Sequence, residues 1–330
     1  MTGAEHPFLR PLRAYVAGGE RITGIRTLRA GHSNETYHLE GLDRILRTPP
    51  AGPGLMPSYD MARQHAVMRA IRAEPSAPPV PEVFELCTDA AVIGRPFFVM
   101  ARCDGASTDW KAPAWMVAGG PALRDRLSAQ WLDAVQAIHA LPVGRMPGAA
   151  RTPAGDAAAW LELIRDADPP VRLVAMLDDL VERPGPTSGA PACLHGDLKF
   201  ANFLWSGGRL TAVLDWEMAA VGEPLTDLGY LLGLWPARPA EPGQMPYTRL
   251  PGWWSRQRII DEWEAGAGRS AEVIERHERL GMAKIAGIFV LGAHLYATGR
   301  TTDERMGRWS RSLPVWLDVI EARAAALTAG

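Results

Sequence analysis

Over the first hundred residues the apolar positions come in short runs with near-alternate spacing. Ile22 to Leu28, Thr36 to Leu39 and Arg44 to Arg47 predict strands, the last two joined by a Glu-Gly-Leu-Asp turn. Val83 to Leu86 and Phe97 to Met100 predict two more. A Pro/Gly-rich loop from Pro49 to Pro57 precedes a predicted helix from about Tyr59 to Ala73. Met61, Ala62, His65, Met68, Ala70 and Ile71 form its apolar face. After Gly105 the spacing lengthens to three or four residues. Helices are predicted over Ala122 to Leu141, Ala157 to Ile164, Val171 to Glu182, Leu225 to Leu234, Trp253 to Ala265, Ala271 to Arg279, Met282 to Ala297 and Trp309 to Leu327. This predicts an α+β chain with two lobes: residues 1–104, small and β-rich, and residues 105–330, mostly helical.

The helical pattern is interrupted once, and the interruption carries the chemistry. An apolar approach strand, Ala192 to Leu194, leads into His195-Gly196-Asp197-Leu198-Lys199-Phe200-Ala201-Asn202. Phe203 to Trp205 and Leu210 to Leu214 flank Ser206-Gly207-Gly208, which predicts a tight hairpin. Such a hairpin brings Asn202 and Asp215 together at its open mouth, with Asp197 just before it. A carboxamide oxygen and a carboxylate suit Mg²⁺, which keeps water and phosphate in its other positions. A separate carboxylate can take a proton from an attacking hydroxyl. That is the layout of a kinase active site.

Composition narrows the alternatives. In 330 residues the formal charge is −2, with no basic run of the kind that grips nucleic acid. No apolar run approaching eighteen residues is expected, so no membrane span is expected, and the first ten residues lack the apolar centre of a secretory signal. Cys87, Cys103 and Cys193 form no C-x-x-C pair and fit a reducing, cytoplasmic setting.

The other parts of a kinase have candidates. The turn from Arg29 through Gly31, His32, Ser33 and Asn34 to Tyr37 can lay N–H groups and a hydroxyl over phosphates. Arg47 ends the next strand as a cation for those phosphates, where a kinase usually has Lys. The following helix offers Gln64 where an acid would pair with that cation; Gln64 can accept a hydrogen bond but cannot neutralise it. Met100, Ala101 and Arg102 lead to a Gly105 hinge and offer backbone groups to a base. Asp227, near the start of an apolar helix, is expected to hold the catalytic-loop backbone.

These residues together resemble the aminoglycoside phosphotransferase family, the small-molecule branch of the protein-kinase-like fold, over about Ile25 to Arg300. Gly31 to Tyr37 is similar to the family's Gly-x-Ser-Asn-x-Thr-Tyr loop. Leu46-Arg47-Thr48-Pro49-Pro50 is similar to the Leu-Arg-Arg-Pro-Pro of a branch also found fused to acyl-CoA dehydrogenases, in which Arg replaces Lys and Gln64 stands where the branch has Glu. His195-Gly196-Asp197 with Asn202, and Asp215-Trp216-Glu217, match the catalytic and metal motifs. The resemblance implies γ-phosphoryl transfer from ATP to a hydroxyl. In it Asp197 is catalytic, and Asn202 and Asp215 hold Mg²⁺. Arg47, Ser33 and Asn34 anchor phosphates, with His195, Glu217 and Asp227 in support.

The acceptor region shows Trp235, Tyr247, Trp253, Trp254, Arg256, Arg258, Lys284, His294 and Arg300, with Asp261, Glu262 and Glu264 intermixed. That set points to a partly apolar or anionic small-molecule acceptor, such as a hydroxylated acid or hydroxyacyl thioester, ahead of a polycationic aminoglycoside. Competing readings are a pseudokinase, for which Gln64 speaks; a metal-dependent hydrolase, which would need a His pair; and a protein kinase, which would need a peptide-docking segment after Asp215.

Overall fold

The computed structural model describes residues 5–28, 33–56, 59–108, 112–237, 241–242 and 245–328. Helix α1 (Leu9–Tyr15) opens the chain, followed by β1 (Gly24–Leu28), β2 (Glu35–Glu40), β3 (Arg44–Thr48), α2 (Met61–Arg72), β4 (Val83–Cys87) and β5 (Phe97–Ala101). The five strands form one antiparallel sheet in the order β1-β2-β3-β5-β4.

Strand period sorts the faces of this sheet. Leu46, Leu39, Phe97 and Val99 pack with Leu9 and Leu12 of α1. Ile45, Phe98 and Met100 pack on the other side, with Met68 and Ile71 of α2. Arg47 is two residues from Ile45 and so shares the inner face. Helix α1 has no counterpart among the expected elements; its seven residues bury only two leucines. Asp60 caps α2, accepting the Arg63 N–H at 2.8 Å, so the helix starts two residues later than the periodicity predicts.

The second half is built of α3 (Ala114–Ala118), α4 (Gly120–His139), α5 (Pro153–Ile164), α6 (Val171–Glu182), β6 (Ala192–Leu194), β7 (Phe203–Ser206), β8 (Arg209–Val213), β9 (Ala220–Gly222), α7 (Leu225–Leu234), α8 (Arg256–Ala267), α9 (Ile274–Ala297) and α10 (Glu304–Thr328). The β7–β8 hairpin forms as expected, and β6 pairs with β9. The link between halves is pinned to the hairpin: Ala106 and Trp205 exchange two main-chain hydrogen bonds of 3.0 Å.

Two expectations need correction. The helices predicted over Ala271–Arg279 and Met282–Ala297 are one helix, α9. Gly281 does not break it: a Cβ there would collide with the Tyr230 backbone, so the glycine lets α9 close on α7. In addition, α9 is long and apolar enough to cross a membrane, with an 18-residue window of mean hydropathy 1.5. It packs against α5, α6, α7 and α10, and 61% of that window is buried, as befits a core helix.

Candidate active site

The loop after β6 is shaped by one buried carboxylate. Asp227, 1% exposed, accepts the His195 N–H at Oδ2 and the Gly196 N–H at Oδ1, both at 2.8 Å. His139, at the end of α4, lies 3.3 Å from Oδ2. Burial alone would raise the Asp227 carboxyl, but these donors, His139 foremost, leave it below its ordinary value. Gly196 takes φ +84, and a Cβ there would sit 2.5 Å from the Met218 carbonyl, so the turn requires glycine.

The His195 side chain continues the brace. Its Nδ1 accepts the Asp197 N–H at 3.2 Å, which leaves Nε2 to donate to the Leu214 carbonyl at 2.8 Å. Leu214 in turn donates its N–H to the Asn202 carbonyl at 2.8 Å. The imidazole thus links the loop carrying Asp197 to the strand end carrying Asp215. Trp216 tilts against it at 4.6 Å between ring centroids.

Asp197 is 5% exposed. Its Oδ2 accepts Lys199 Nζ at 2.6 Å and Asn202 Nδ2 at 2.9 Å, while Oδ1 is enclosed and has no partner. Burial works to raise this carboxyl; the Lys199 ammonium outweighs it, and the net shift is downward. Burial would lower the Lys199 amine, but Asp197 and then Asp215 raise it. Lys199 stood in the motif two residues after Asp197, yet its spacing alone did not mark it as a site residue.

Across the cleft, Arg47 donates to Asp215 Oδ1 and lies 3.8 Å from Glu217 Oε2. Ser33 Oγ donates to the same Glu217 oxygen at 2.9 Å, and Asn34 Nδ2 also reaches it. Asp215 adopts φ +66, a left-handed conformation uncommon outside glycine, asparagine and aspartate, which turns the chain sharply after β8. Burial, then the nearby Asp215 carboxylate, pushes the Glu217 carboxyl up to about 7. Gly31 and His32 of the same turn lie outside the described residues.

The proposed pairing of Gln64 with Arg47 is not found. Gln64 is buried at 3% exposure, and Arg47 turns to the two acids of the second half, because a guanidinium in this setting needs charge that an amide cannot give. The neighbouring Arg63 reaches over instead, donating to the Ala219 carbonyl. At the hinge, Ala101 N–H is taken by the Glu82 carbonyl at 2.7 Å. The Arg102 side chain lies on Asp104 and Asp43, at 3.3 and 3.5 Å.

The acceptor-side residues divide. Trp235 and Tyr247 line a small recess with Lys199, Phe200 and Leu231, and Trp253 packs edge-on against Phe200 at 5.1 Å. Arg256 and Arg258 are corrections: the first is paired with Glu278, and the second with Asp125 at 2.9 Å. Trp254 is core, with its indole N–H on Asp125. His294 is half-buried and Arg300 exposed.

Carboxylates at 197, 215 and 217, offset by Arg47 and Lys199, surround a hairpin mouth. The two-part arrangement is that of a protein-kinase-like fold. The family model for the phosphotransferase enzyme family (APH) matches residues 24–265, and the chain belongs to that family. Acyl-CoA dehydrogenase family member 11 from Gallus gallus is 29% identical over 62% of this chain and 27% of its own length. Acyl-CoA dehydrogenase family member 10 from Mus musculus is 27% identical over 61% of this chain and 19% of its own. The chain thus spans at most about a quarter of those two relatives. A putative aminoglycoside phosphotransferase from Ralstonia eutropha has the same fold, with a TM-score of 0.74 at 20% identity, covering 96% of this chain and 98% of that one. A GDP and kanamycin complex of an APH(2") enzyme superposes with a TM-score of 0.59 at 16% identity, covering 97% of both chains.

Proposed function

We propose that the chain is an ATP- and Mg²⁺-dependent phosphotransferase acting on a hydroxyl of a small molecule, a hydroxylated acid or hydroxyacyl metabolite ahead of an aminoglycoside. The observation that carries this reading is the Asp197 carboxylate, fixed on one oxygen by Lys199 and Asn202, with the other enclosed and left without a partner. Complexes of related folds with GDP and kanamycin, and with AMP-PNP and hygromycin B, support a nucleotide and a small acceptor in the same cleft.

In this reading the first 104 residues hold the nucleotide and the rest presents the acceptor. The main chain at Met100, Ala101 and Arg102 meets the base; with Ala101 N–H already used, the donor to the base comes from the residues after it. Arg47, Ser33 and Asn34 leave the two acids for the phosphates. Asn202 and Asp215 fit Mg²⁺: an oxygen donor pair beside crowded carboxylates suits a hard cation, which would neutralise phosphate charge as it develops.

The acceptor oxygen forms a bond to Pγ as the bond from Pγ to the β–γ bridging oxygen breaks, and ADP leaves. The hydroxyl proton passes to Asp197 Oδ1. A carboxylate held below its ordinary pKa is a weak base, so it first orients the hydroxyl and takes the proton late, which suits a loose transition state. Lys199 keeps Asp197 ionised and stands ready to share charge with the transferring phosphoryl group. Three free cysteines agree with the reducing cytoplasm as the place of action.

The test is transfer of label from γ-labelled Mg·ATP into a fractionated small-molecule extract, with Asp197→Asn as the blank. A labelled product made by the native chain and reduced at least about 10³-fold in the variant is expected. Equal labelling by both proteins would remove Asp197 from the chemistry. ATP binding without label would leave the pseudokinase reading.

A further inference from the structure

The recess beside the catalytic loop has walls of one chemical kind. Lys199 and Phe200 of the loop, Leu231 and Trp235 at the end of α7, and Met245 and Tyr247 of the segment that follows all line it. The polar atoms around it are committed to main chain. Trp235 Nε1 donates to the Trp254 carbonyl at 3.0 Å, and Trp253 Nε1 to the Tyr247 carbonyl at 2.9 Å. Thr248 Oγ1 donates to the Met245 carbonyl at 2.7 Å. With those groups spent, the walls offer chiefly carbon. Lys199 is the charged member, and no carboxylate stands among the described lining residues.

The recess is joined to the chemistry by a single side chain. Lys199 Nζ lies 2.6 Å from Asp197 Oδ2, and the other Asp197 oxygen is enclosed and without a partner. Phe200 is held rigidly as the next wall, stacked on Trp205 at 5.0 Å and met edge-on by Trp253 at 5.1 Å. The α7 side is braced from behind by Arg323 of α10, which donates to the Leu232 carbonyl at 3.0 Å and the Trp235 carbonyl at 2.7 Å. Arg323 also takes up the carboxylate of Glu241, the acid of the segment after α7. The space is therefore shaped in advance, and a polycation entering it meets an ammonium and carbon walls.

Resting on the phosphotransferase reading, we propose that this recess is the subsite for a short hydrocarbon tail of the acceptor, carried on the carbon that bears the hydroxyl. The tail leaves water among Phe200, Leu231, Trp235 and Met245 while the hydroxyl faces Asp197. The Lys199 stem covers the boundary, with its ammonium kept on Asp197. Polyhydroxylated acceptors are disfavoured, because their extra hydroxyls would be buried against carbon without partners. Met245 is a specificity-determining residue here and takes no part in the bond exchange.

The first arm measures binding alone. The full chain saturated with Mg·ADP is titrated with straight-chain alcohols from ethanol to hexanol and with glycerol, followed by the ¹⁵N-labelled indole signals of Trp235 and Trp253. Affinity is expected to rise about three- to fourfold per added methylene until the recess is full, with glycerol inert. Met245 is half-buried, so it can be changed without opening the core. Met245→Glu should abolish the increment, and Met245→Leu should keep it. Matching melting curves for the three proteins separate this result from misfolding. No rise with chain length in the native protein, or an equal rise in Met245→Glu, overturns the subsite.

The second arm measures transfer of label from γ-labelled Mg·ATP to straight-chain 3-hydroxy acids of four to eight carbons, a series in which only the tail lengthens. In the native protein kcat/KM should climb with the tail by about the same factor per carbon and fall once the recess is overfilled. In Met245→Glu it should be flat. Transfer that ignores tail length in the native protein overturns the subsite and leaves the phosphotransferase reading standing. Tail-dependent binding that is lost in Met245→Glu, with no transfer to any hydroxy acid, supports the subsite and overturns the hydroxy-acid reading of the enzyme.

Discussion

The catalytic loop and the charge cluster across the cleft solve opposite problems with the same residue types. In the loop, each acid is met by donors held in place by the fold: Asp227 by two N–H groups and His139, and Asp197 by Lys199 and Asn202. Both carboxyls end up below their ordinary values. In the cluster, Asp215 and Glu217 crowd each other and share one guanidinium, and Glu217 rises to about 7. The loop is arranged for stability. The cluster holds excess negative charge that a cation and phosphate-binding groups would relieve, which is where a binding site departs from its most stable arrangement.

The largest effect should come from breaking the loop. Asp227→Asn replaces a buried acceptor-only group with one that also presents an NH₂ to two N–H donors. A loss of about 2–4 kcal/mol in unfolding free energy is expected, read by denaturant titration, together with a large fall in turnover. The sign with pH follows from the depressed pKa. Asp227 contributes stability above its unfolded value and loses it as pH falls through the lower folded one, so native and variant proteins should converge in acid. A constant gap between pH 7 and pH 3 would show that the carboxylate charge is not what holds the loop.

The cluster should respond in the other direction. The folded pKa of Glu217 lies above its unfolded value, so the stability linked to its proton is present at low pH and lost as pH rises from about 4.5 through about 7. Glu217→Gln should therefore be more stable than the native chain at pH 8 in EDTA, by on the order of 1–2 kcal/mol, with the difference closing below pH 5. The same change should weaken nucleotide binding, because the carboxylate that gathers Ser33, Asn34 and Arg47 toward the cleft becomes a neutral amide. Equal melting temperatures across that range would mean the excess charge is already relieved in the free protein.

The two regions also differ in how far the sequence disclosed them. The loop was legible because its chemistry is local: His195 to Asn202 is one string, and the hairpin that returns Asp215 is short and marked by Gly207-Gly208. Asp227 was legible in role because it follows closely. The cluster was not, because the Arg47–Asp215 contact spans 168 positions, and nothing near Arg47 says which acid it will meet. Gln64 was assigned by helix position, and the tertiary fold gave Arg47 different partners. The same limit applies to α9, where Gly281 carries a local signal for a break but answers to a contact with Tyr230.

The smallest expected effect tests whether Gln64 matters to the cluster at all. Arg47 Nε is enclosed and lacks a partner, while its terminal nitrogen is committed to Asp215. Gln64→Glu adds a buried carboxylate on α2, which costs desolvation and adds to the negative charge already present. If that carboxylate reaches Nε, it should hold Arg47 back from Asp215 and free the acid for Mg²⁺, giving a two- to fivefold gain in kcat/KM for ATP against a stability loss of about 1 kcal/mol. A loss of stability with no kinetic gain would place position 64 in the packing of α2. Arg47 would then be governed entirely from across the cleft, and the native glutamine would be the residue that avoids a third unneeded charge.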